Sequence, residues 1–478
     1  MAVAMRVLAD KVADTAEVPA VARALVASSR DDQFSSWGWQ CKSFVLPTPL
    51  FYNTSIMTNF KEYDLVSGNK CFFVDIESPI SAVSIWINKG SRNDPKGKEG
   101  LAHFFEHIFM TQTKKFPTRQ KKLQALESLG IYFNAFTSKE KTFFFHIQPK
   151  EKTEESLDLL IDGFVNSKIS EKVLEKEKNI ILEEESRNRQ NISDYFWRLR
   201  DRALWPNSSL GKDLFGNSKT IKSITKKDVI GFQQKYYVSP NINFIIIGQV
   251  DREKIIEKIN KYFEFSKIKL NAEEAEIIGK EPNFLIFEKR NIPNANIGLY
   301  YKTTSVQNSK EMIALDLIRE IIGGTWISRL NQSLRIKNNL TYWVSGISQN
   351  FSDTGFIGAE FSCSLKNIKK AFPLALKEID SIVNKVTNVD IKAYISSLVS
   401  SVLRNNCTAE QLLWWYGQMA ITNKINLSPE DYVKELETIT ANEVISVAKK
   451  FLKKENRAIV VIGPKSIEKS VIDIVKKY

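Results

Sequence analysis

Ile224-Thr225-Lys226-Lys227-Asp228-Val229-Ile230 returns 215 residues later as Ile439-Thr440-Ala441-Asn442-Glu443-Val444-Ile445. At the same offset Lys235-Tyr236-Tyr237 parallels Lys450-Phe451-Leu452. Each copy then runs into an apolar stretch that ends in glycine, Phe244 to Gly248 and Ile459 to Gly463. Near the openings of the two halves, Ala82-Val83-Ser84-Ile85-Trp86-Ile87 parallels Ala295-Asn296-Ile297-Gly298-Leu299-Tyr300, at an offset of 213. Similarity at one long offset, held at both ends of each half, is the mark of a fold used twice. Thr225 and Thr440 each precede an acid by three residues, Asp228 and Glu443, which predicts a capped helix start in each half. Leu157 to Phe164 and Ile313 to Ile322 space their apolar residues as helices do, while short apolar runs open and close each half as strands. The predicted fold class is α+β, two similar α/β-sandwich domains related by internal duplication. The expected boundaries are an N-terminal extension over 1–49, a first domain over 50–268, a linker over 269–282 inside the polar stretch Lys267 to Pro282, and a second domain over 283–478.

A chain of 478 residues suits two large domains better than one core. The composition, 43% hydrophobic and 26% charged, is that of a folded protein, and no run of eighteen apolar residues offers a membrane span. The net charge is +13, yet the lysines are interleaved with acids, as from Glu175 to Lys178, and pairs such as Lys114-Lys115, Lys121-Lys122 and Lys449-Lys450 stand alone. That pattern reads as a solvated surface, and no nucleic-acid partner is expected. Cys41, Cys71, Cys363 and Cys407 are far apart and form no Cys-x-x-Cys pair, so neither a zinc knuckle nor a disulfide framework is predicted. The Ala- and Val-rich first thirty residues carry Arg6, Arg23 and Arg30 but also Asp10, Asp14 and Glu17, which reads as a helical extension and not as a targeting peptide.

The chemistry is concentrated in His103-Phe104-Phe105-Glu106-His107. Two of the three histidines in the chain lie in this pentapeptide; the third, His146, sits in the apolar run Thr142 to Ile147 and reads as structural. The segment Gly100 to Met110 has no proline and reads as helical, so His103 and His107, four apart, share one face with Glu106 beside them. Two imidazoles and a carboxylate suit Zn2+ with a fourth position left for water, and Glu106 is placed to take a proton from that water. A third ligand has to come from another element. The acidic helical stretch Glu175 to Glu185 is the best donor, with Glu177 and Glu184 two turns apart on one face. From the residues alone, Glu183, Glu184 and Glu185 stay equal candidates.

Gly100-Leu101-Ala102-His103-Phe104-Phe105-Glu106-His107, continued by Lys114-Lys115-Phe116-Pro117-Thr118, resembles the signature of the pitrilysin/insulinase zinc peptidases, in the two-domain branch typified by mitochondrial processing peptidase. The resemblance implies a metallopeptidase fold of that type. It selects Glu184, in Ile180-Ile181-Leu182-Glu183-Glu184, as the third ligand beside His103 and His107. It makes Glu106 the catalytic base and Glu177 a glutamate that supports catalysis from behind the ligands or by handling a proton. Leu129 to Ser138 resembles the family's substrate strand, an edge to which a peptide adds as a further strand, with Asn134, Ala135 and Phe136 as substrate-binding residues. In the second half, Gly323-Gly324-Thr325-Trp326-Ile327-Ser328-Arg329-Leu330 leads to Arg335 and Tyr342, which resemble the family's Arg/Tyr pair. The pair is implied to donate hydrogen bonds to the substrate carbonyl and the developing oxyanion. The counterpart of the zinc helix in that half, around Asp316 to Gly323, has no histidine, so the second domain is expected to be noncatalytic apart from this pair. Gln112 and Asn207-Ser208-Ser209 depart from the family pattern near the metal helix and in a following loop.

The function expected from the resemblance is a zinc-dependent endopeptidase that cleaves unfolded peptides or precursor segments inside a closed chamber. Family chambers use four such domains and this chain supplies two. A homodimer, or a heterodimer with a related chain, is therefore implied. The compartment expected is the cytoplasm, with a mitochondrial or other organelle matrix as the alternative. The competing expectation is a catalytically silent scaffold subunit of a larger complex.

Overall fold

The computed structural model describes residues 59–263, 285–305, 309–419 and 427–478. The expected extension over 1–49 and the linker over 269–282 lie outside the described residues. The first half forms a six-stranded sheet from β1 (Asn59–Asp64), β2 (Lys70–Asp75), β3 (Ile80–Ile87), β4 (Tyr132–Thr137), β5 (Thr142–Pro149) and β6 (Ile242–Ile247). Its spatial order is β1-β2-β6-β3-β5-β4, with β2 and β6 parallel and the other neighbours antiparallel. The second half forms a five-stranded sheet from β7 (Leu285–Lys289), β8 (Asn294–Thr304), β9 (Thr341–Asn350), β10 (Thr354–Ser364) and β11 (Arg457–Gly463), in the order β7-β11-β8-β10-β9. Here β7 and β11 are the parallel pair. Leaving out β1, the two sheets have the same order and the same strand directions, so the duplication read from the sequence is a duplication of topology. The repeat segments fall on equivalent elements. Ala82 to Ile87 lies in β3 and Ala295 to Tyr300 in β8, and the two glycine-ended runs are β6 and β11.

The paired caps are present as well. Thr225 accepts from the Asp228 amide and Thr440 from the Glu443 amide, each at 3.3 Å, and each acid accepts in return from its threonine's amide at 2.8 Å. These capping boxes start the helices Lys226–Tyr236 and Ala441–Phe451. Each satisfies two amide donors that a helix start otherwise leaves unpaired.

Every residue of β6 and of β11 is buried. A strand buried on both sides needs cover on both faces of its sheet. One cover is local. Leu101, Phe104, Phe105, Leu157, Leu160 and Ile181 pack on the first sheet, and Ile313, Leu317, Phe372, Leu376 and Val444 pack on the second. The other cover is exchanged between the halves. Leu412, Leu413 and Tyr416, from the second-half helix Ala409–Tyr416, pack on Val74, Trp86, Phe143 and Ile245 of the first sheet. Phe196, Leu199 and Leu204, from the first-half helix Ile192–Leu204, pack on Tyr300, Phe356 and Val460 of the second. These two helices occupy the same place in the two topologies. Gly417 closes the first of these contacts, because a Cβ there would meet the Trp86 ring at 2.1 Å. The halves are therefore two copies of one topology that complete each other's cores. Burying a leucine or phenylalanine contributes roughly 1.5–3 kcal/mol each.

Candidate metal centre

The histidine helix, Leu101–Phe109, starts at Gly100, whose φ of 97° is a left-handed conformation. A Cβ there would also meet the Phe215 carbonyl at 2.7 Å. The Asp94 carboxylate accepts from the amides of Gly100 (2.7 Å) and Ala102 (2.8 Å), which pins the first turn. Burial pushes the Asp94 carboxyl up to about 7, against the pull of those backbone donors. Leu101, Phe104, Phe105 and Ile108 commit one face to the core under the sheet. That leaves His103, Glu106 and His107 on the face opposite, where the long acidic helix Glu171–Gln190 packs.

On that acidic helix Glu184 meets both imidazoles. Its Oε2 lies 3.4 Å from His107 Nε2 and 3.9 Å from His103 Nε2. One ligand atom from each of the three residues lies within 4.8 Å of the other two. Tetrahedral zinc with bonds of ~2.0–2.1 Å separates its ligand atoms by about 3.4 Å, so the donor set fits such an ion with little adjustment. The other two acids in this run point elsewhere: Glu183 is exposed, and Glu185 is buried and taken by Arg189 (2.9 Å) and Arg198 (3.2 Å). Two turns before Glu184, the buried Glu177 places Oε2 3.3 Å from His107 Nδ1. With Nδ1–H donating to that carboxylate, Nε2, which faces Glu184, is the nitrogen that would give up its proton to a metal.

The electrostatics suit a cation. Burial, reinforced by the His107 charge, lowers His103 to about 3, so this imidazole is neutral at physiological pH. Burial opposes charge on His107 too, but hydrogen bonds to Glu177 and Glu184 outweigh it and raise this group to about 9. Burial would lift the Glu184 carboxyl, yet the two histidines more than offset it and hold it below its ordinary value. Glu106, beside them, is pushed up to about 7 by burial, with a hydrogen bond from the Thr137 hydroxyl acting the other way. A carboxylate poised near neutrality is the kind of group that takes and returns a proton. Sequence reasoning missed Thr137 and Asp94. Thr137 lies in the Leu129 to Ser138 stretch without a role of its own there and Asp94 lies in no motif; each reaches the helix only because the chain folds back on it.

Thr137 ends β4, the edge strand of the first sheet. Strand alternation divides its residues between two faces. Ala135 packs toward the core that holds the histidine helix, and Thr137 reaches Glu106. Asn134 and Phe136 are on the other face. The Asn134 amide sits 3.3 Å from the Tyr132 hydroxyl, and the Phe136 ring lies 5.5 Å from that of Trp414. What β4 offers at its outer edge is backbone. His146, in β5, is buried with Nδ1 3.2 Å from the Ser156 carbonyl oxygen, away from the ligand set.

Arg335 and Tyr342 are brought together in the second half, with the guanidinium 5.2 Å from the tyrosine ring centroid. Among the described residues no hydrogen bond, ion pair or ring contact joins either of them to His103, His107 or Glu184. In the second half, the repeat offset of 213 puts Asp316, Arg319 and Glu320 where His103, Glu106 and His107 stand in the first. There the Tyr432 hydroxyl donates to Asp316 (2.8 Å) and Arg319 pairs with Glu320 (2.9 Å). A fixed guanidinium thus balances the acids, and no metal-ligating trio is found there among the described residues.

Residues 74–218 match the family described as Insulinase (Peptidase family M16), and residues 223–398 match the Peptidase M16 inactive domain. An uncharacterized zinc protease of Rickettsia felis is 26% identical over 81% of this chain and 93% of its own length. The mitochondrial-processing peptidase subunit beta of Neurospora crassa is 24% identical over 80% of this chain and 83% of its own. Among solved structures, a protease from Helicobacter pylori superposes with a TM-score of 0.77 at 18% identity, over 85% of this chain and all of that one. Its likeness shows the fold.

Proposed function

Because the chain belongs to the insulinase family, peptidase family M16, we propose that it is a zinc-dependent endopeptidase acting on unfolded peptides or precursor segments. The observation that carries this reading is the convergence of His103, His107 and Glu184 on one point, with Glu106 beside it. Two imidazoles and a carboxylate would hold the metal, with residues 50–268 as the catalytic domain and 283–478 as its noncatalytic homologue. When bound, zinc supplies Lewis acidity toward the scissile carbonyl and lowers the pKa of water. Glu106 takes the proton of the attacking water and returns it to the leaving amine. Thr137 fixes the orientation of that carboxylate, and Glu177 keeps His107 in the tautomer with Nε2 unprotonated. A peptide adds to the free edge of β4 by main-chain hydrogen bonds, alongside Asn134, Ala135 and Phe136. Arg335 and Tyr342 donate to the carbonyl oxygen as negative charge builds on it.

Among the described residues no hydrogen bond, ion pair or ring contact joins the Arg/Tyr pair to the metal residues of its own chain, and a dimer would let the pair of one copy serve the metal centre of the other. A homodimer is the simpler assembly, since one chain carries both halves of the chemistry; a heterodimer with a related chain is the alternative. No helix among the described residues is long and apolar enough to cross a membrane. The compartment proposed is the cytoplasm, with the mitochondrial matrix as the alternative suggested by relatives named as mitochondrial-processing peptidase subunits.

Digestion of an unstructured peptide library by the zinc-loaded chain tests the proposal. Cleavage that is abolished by chelation and restored by Zn2+ is expected. A chain that binds no zinc and cleaves nothing would instead be the silent scaffold subunit.

A further inference from the structure

Trp86 and Trp205 are buried, but Trp326 is 63% exposed. Its backbone is nonetheless held in place. The Gln332 side-chain amide donates to the Trp326 carbonyl oxygen at 2.9 Å, and the Asn331 side-chain amide donates to that of Thr325 at 2.9 Å. The Ser328 amide closes the loop on the Thr325 carbonyl at 3.1 Å. Leu330 and Leu334 are fully buried and anchor the π-helical turn Asn331–Ile336 that follows. On this support the Trp326 ring centroid lies 4.4 Å from the Arg335 guanidinium carbon, while Tyr342, 81% exposed, lies 5.2 Å from it.

Arg335 therefore has two aromatic neighbours. Among the described residues no carboxylate lies within ion-pair range of it and its side chain makes no hydrogen bond. Stacking on an aromatic face restrains the plane of a guanidinium and leaves the N–H groups at its rim available to an acceptor. A long arginine side chain without such support spreads over many rotamers, and a transition-state donor has to be in place beforehand to be effective.

We propose that Trp326 is a positioning residue that holds the Arg335 guanidinium ready for the substrate carbonyl. The inference rests on the role assigned to Arg335 under "Proposed function". Trp326 acts through Arg335 and touches neither metal nor base.

A double-mutant cycle on the full, zinc-loaded chain tests it, with an unstructured internally quenched peptide that the wild type cleaves as the probe. Trp326→Ala should lower kcat roughly fivefold and leave KM within about twofold, since the group it steadies works in the transition state. Trp326→Phe, which keeps an aromatic face, should restore most of the loss. Arg335→Ala should cost more, and adding Trp326→Ala to it should cost nothing further. Zinc content should be unchanged throughout. If Arg335→Ala is harmful and Trp326→Ala is silent, raises only KM, or is equally harmful without Arg335, the positioning role is overturned while the role of Arg335 stands. If Arg335→Ala is itself silent, the role of Arg335 falls and the inference falls with it.

Discussion

Replacing Glu106 by glutamine separates three properties that the geometry ties to one carboxylate. The first is catalysis. Loss of a general base costs typically ~10²–10⁴-fold in rate, and peptide cleavage should fall by at least that much. The second is metal. The three ligand atoms that converge come from His103, His107 and Glu184, so the variant should still bind one zinc per chain. The third is stability, where the sign follows from the raised Glu106 pKa. In the unfolded chain this carboxyl ionises at its ordinary 4.5, and in the folded chain at about 7. Between those values the folded state holds the proton more tightly. The stabilisation is fully present below 4.5 and is lost as pH rises through 7. A shift of that size corresponds to an upper bound of ~3 kcal/mol, and the partial exposure of Glu106 reduces it toward ~1 kcal/mol. Glutamine carries no charge to desolvate and its carbonyl oxygen can still accept from Thr137. The zinc-free variant should therefore be more stable than the zinc-free wild type at pH 8, with the gain vanishing near pH 4.5. Denaturant unfolding at the two pH values, metal analysis and a quenched-peptide assay read the three properties. Undiminished cleavage would remove Glu106 as the base, loss of zinc would make it a ligand, and an equal stability difference at both pH values would refute the desolvation argument.

Glu184→Ala should abolish stoichiometric zinc binding and cleavage together, as metal analysis after dialysis would report; retained zinc would show that another group completes the site. Because zinc must displace the proton that Glu177 and Glu184 hold on His107, raised to about 9, metal uptake at pH 7.5 should release a proton and weaken with falling pH. Calorimetry in buffers of different ionisation enthalpy measures this, and uptake without proton release contradicts it. Mixing Glu106→Gln chains with Arg335→Ala chains, each strongly impaired alone, should raise activity well above either if the Arg/Tyr pair of one copy serves the metal of another, because each hybrid then has one intact site; no recovery from exchanged dimers would reject that arrangement. Leu413→Ala, in the helix lent to the first sheet, should destabilise by ~2–5 kcal/mol and leave a single cooperative transition. Separate melting of the two sheets would show that their cores are independent.

Much of the site was legible in the chain because its parts are local. Four residues of helix bring His103 and His107 to one face whatever surrounds them, and seven residues do the same for Glu177 and Glu184. The duplicated caps at Thr225 and Thr440 are local too, and both start helices where the repeat places them. Groups that act across distant sequence left no such mark. Nothing in the spelling of Thr137 says that it reaches Glu106, and Glu185 is turned from the imidazoles toward Arg189 on its own helix and Arg198 on the next.

By itself, then, the sequence determined the period of each helix and strand, the repetition of one topology, and the residue types able to hold a cation. The tertiary structure decided which of three adjacent acids faces the imidazoles, which face of β4 looks toward the base, and that each half lends a helix to the other's sheet. The physical reason is one of range. Backbone geometry repeats over a few residues and can be read along the chain, whereas burial and charge pairing depend on which surfaces meet once the chain has closed on itself.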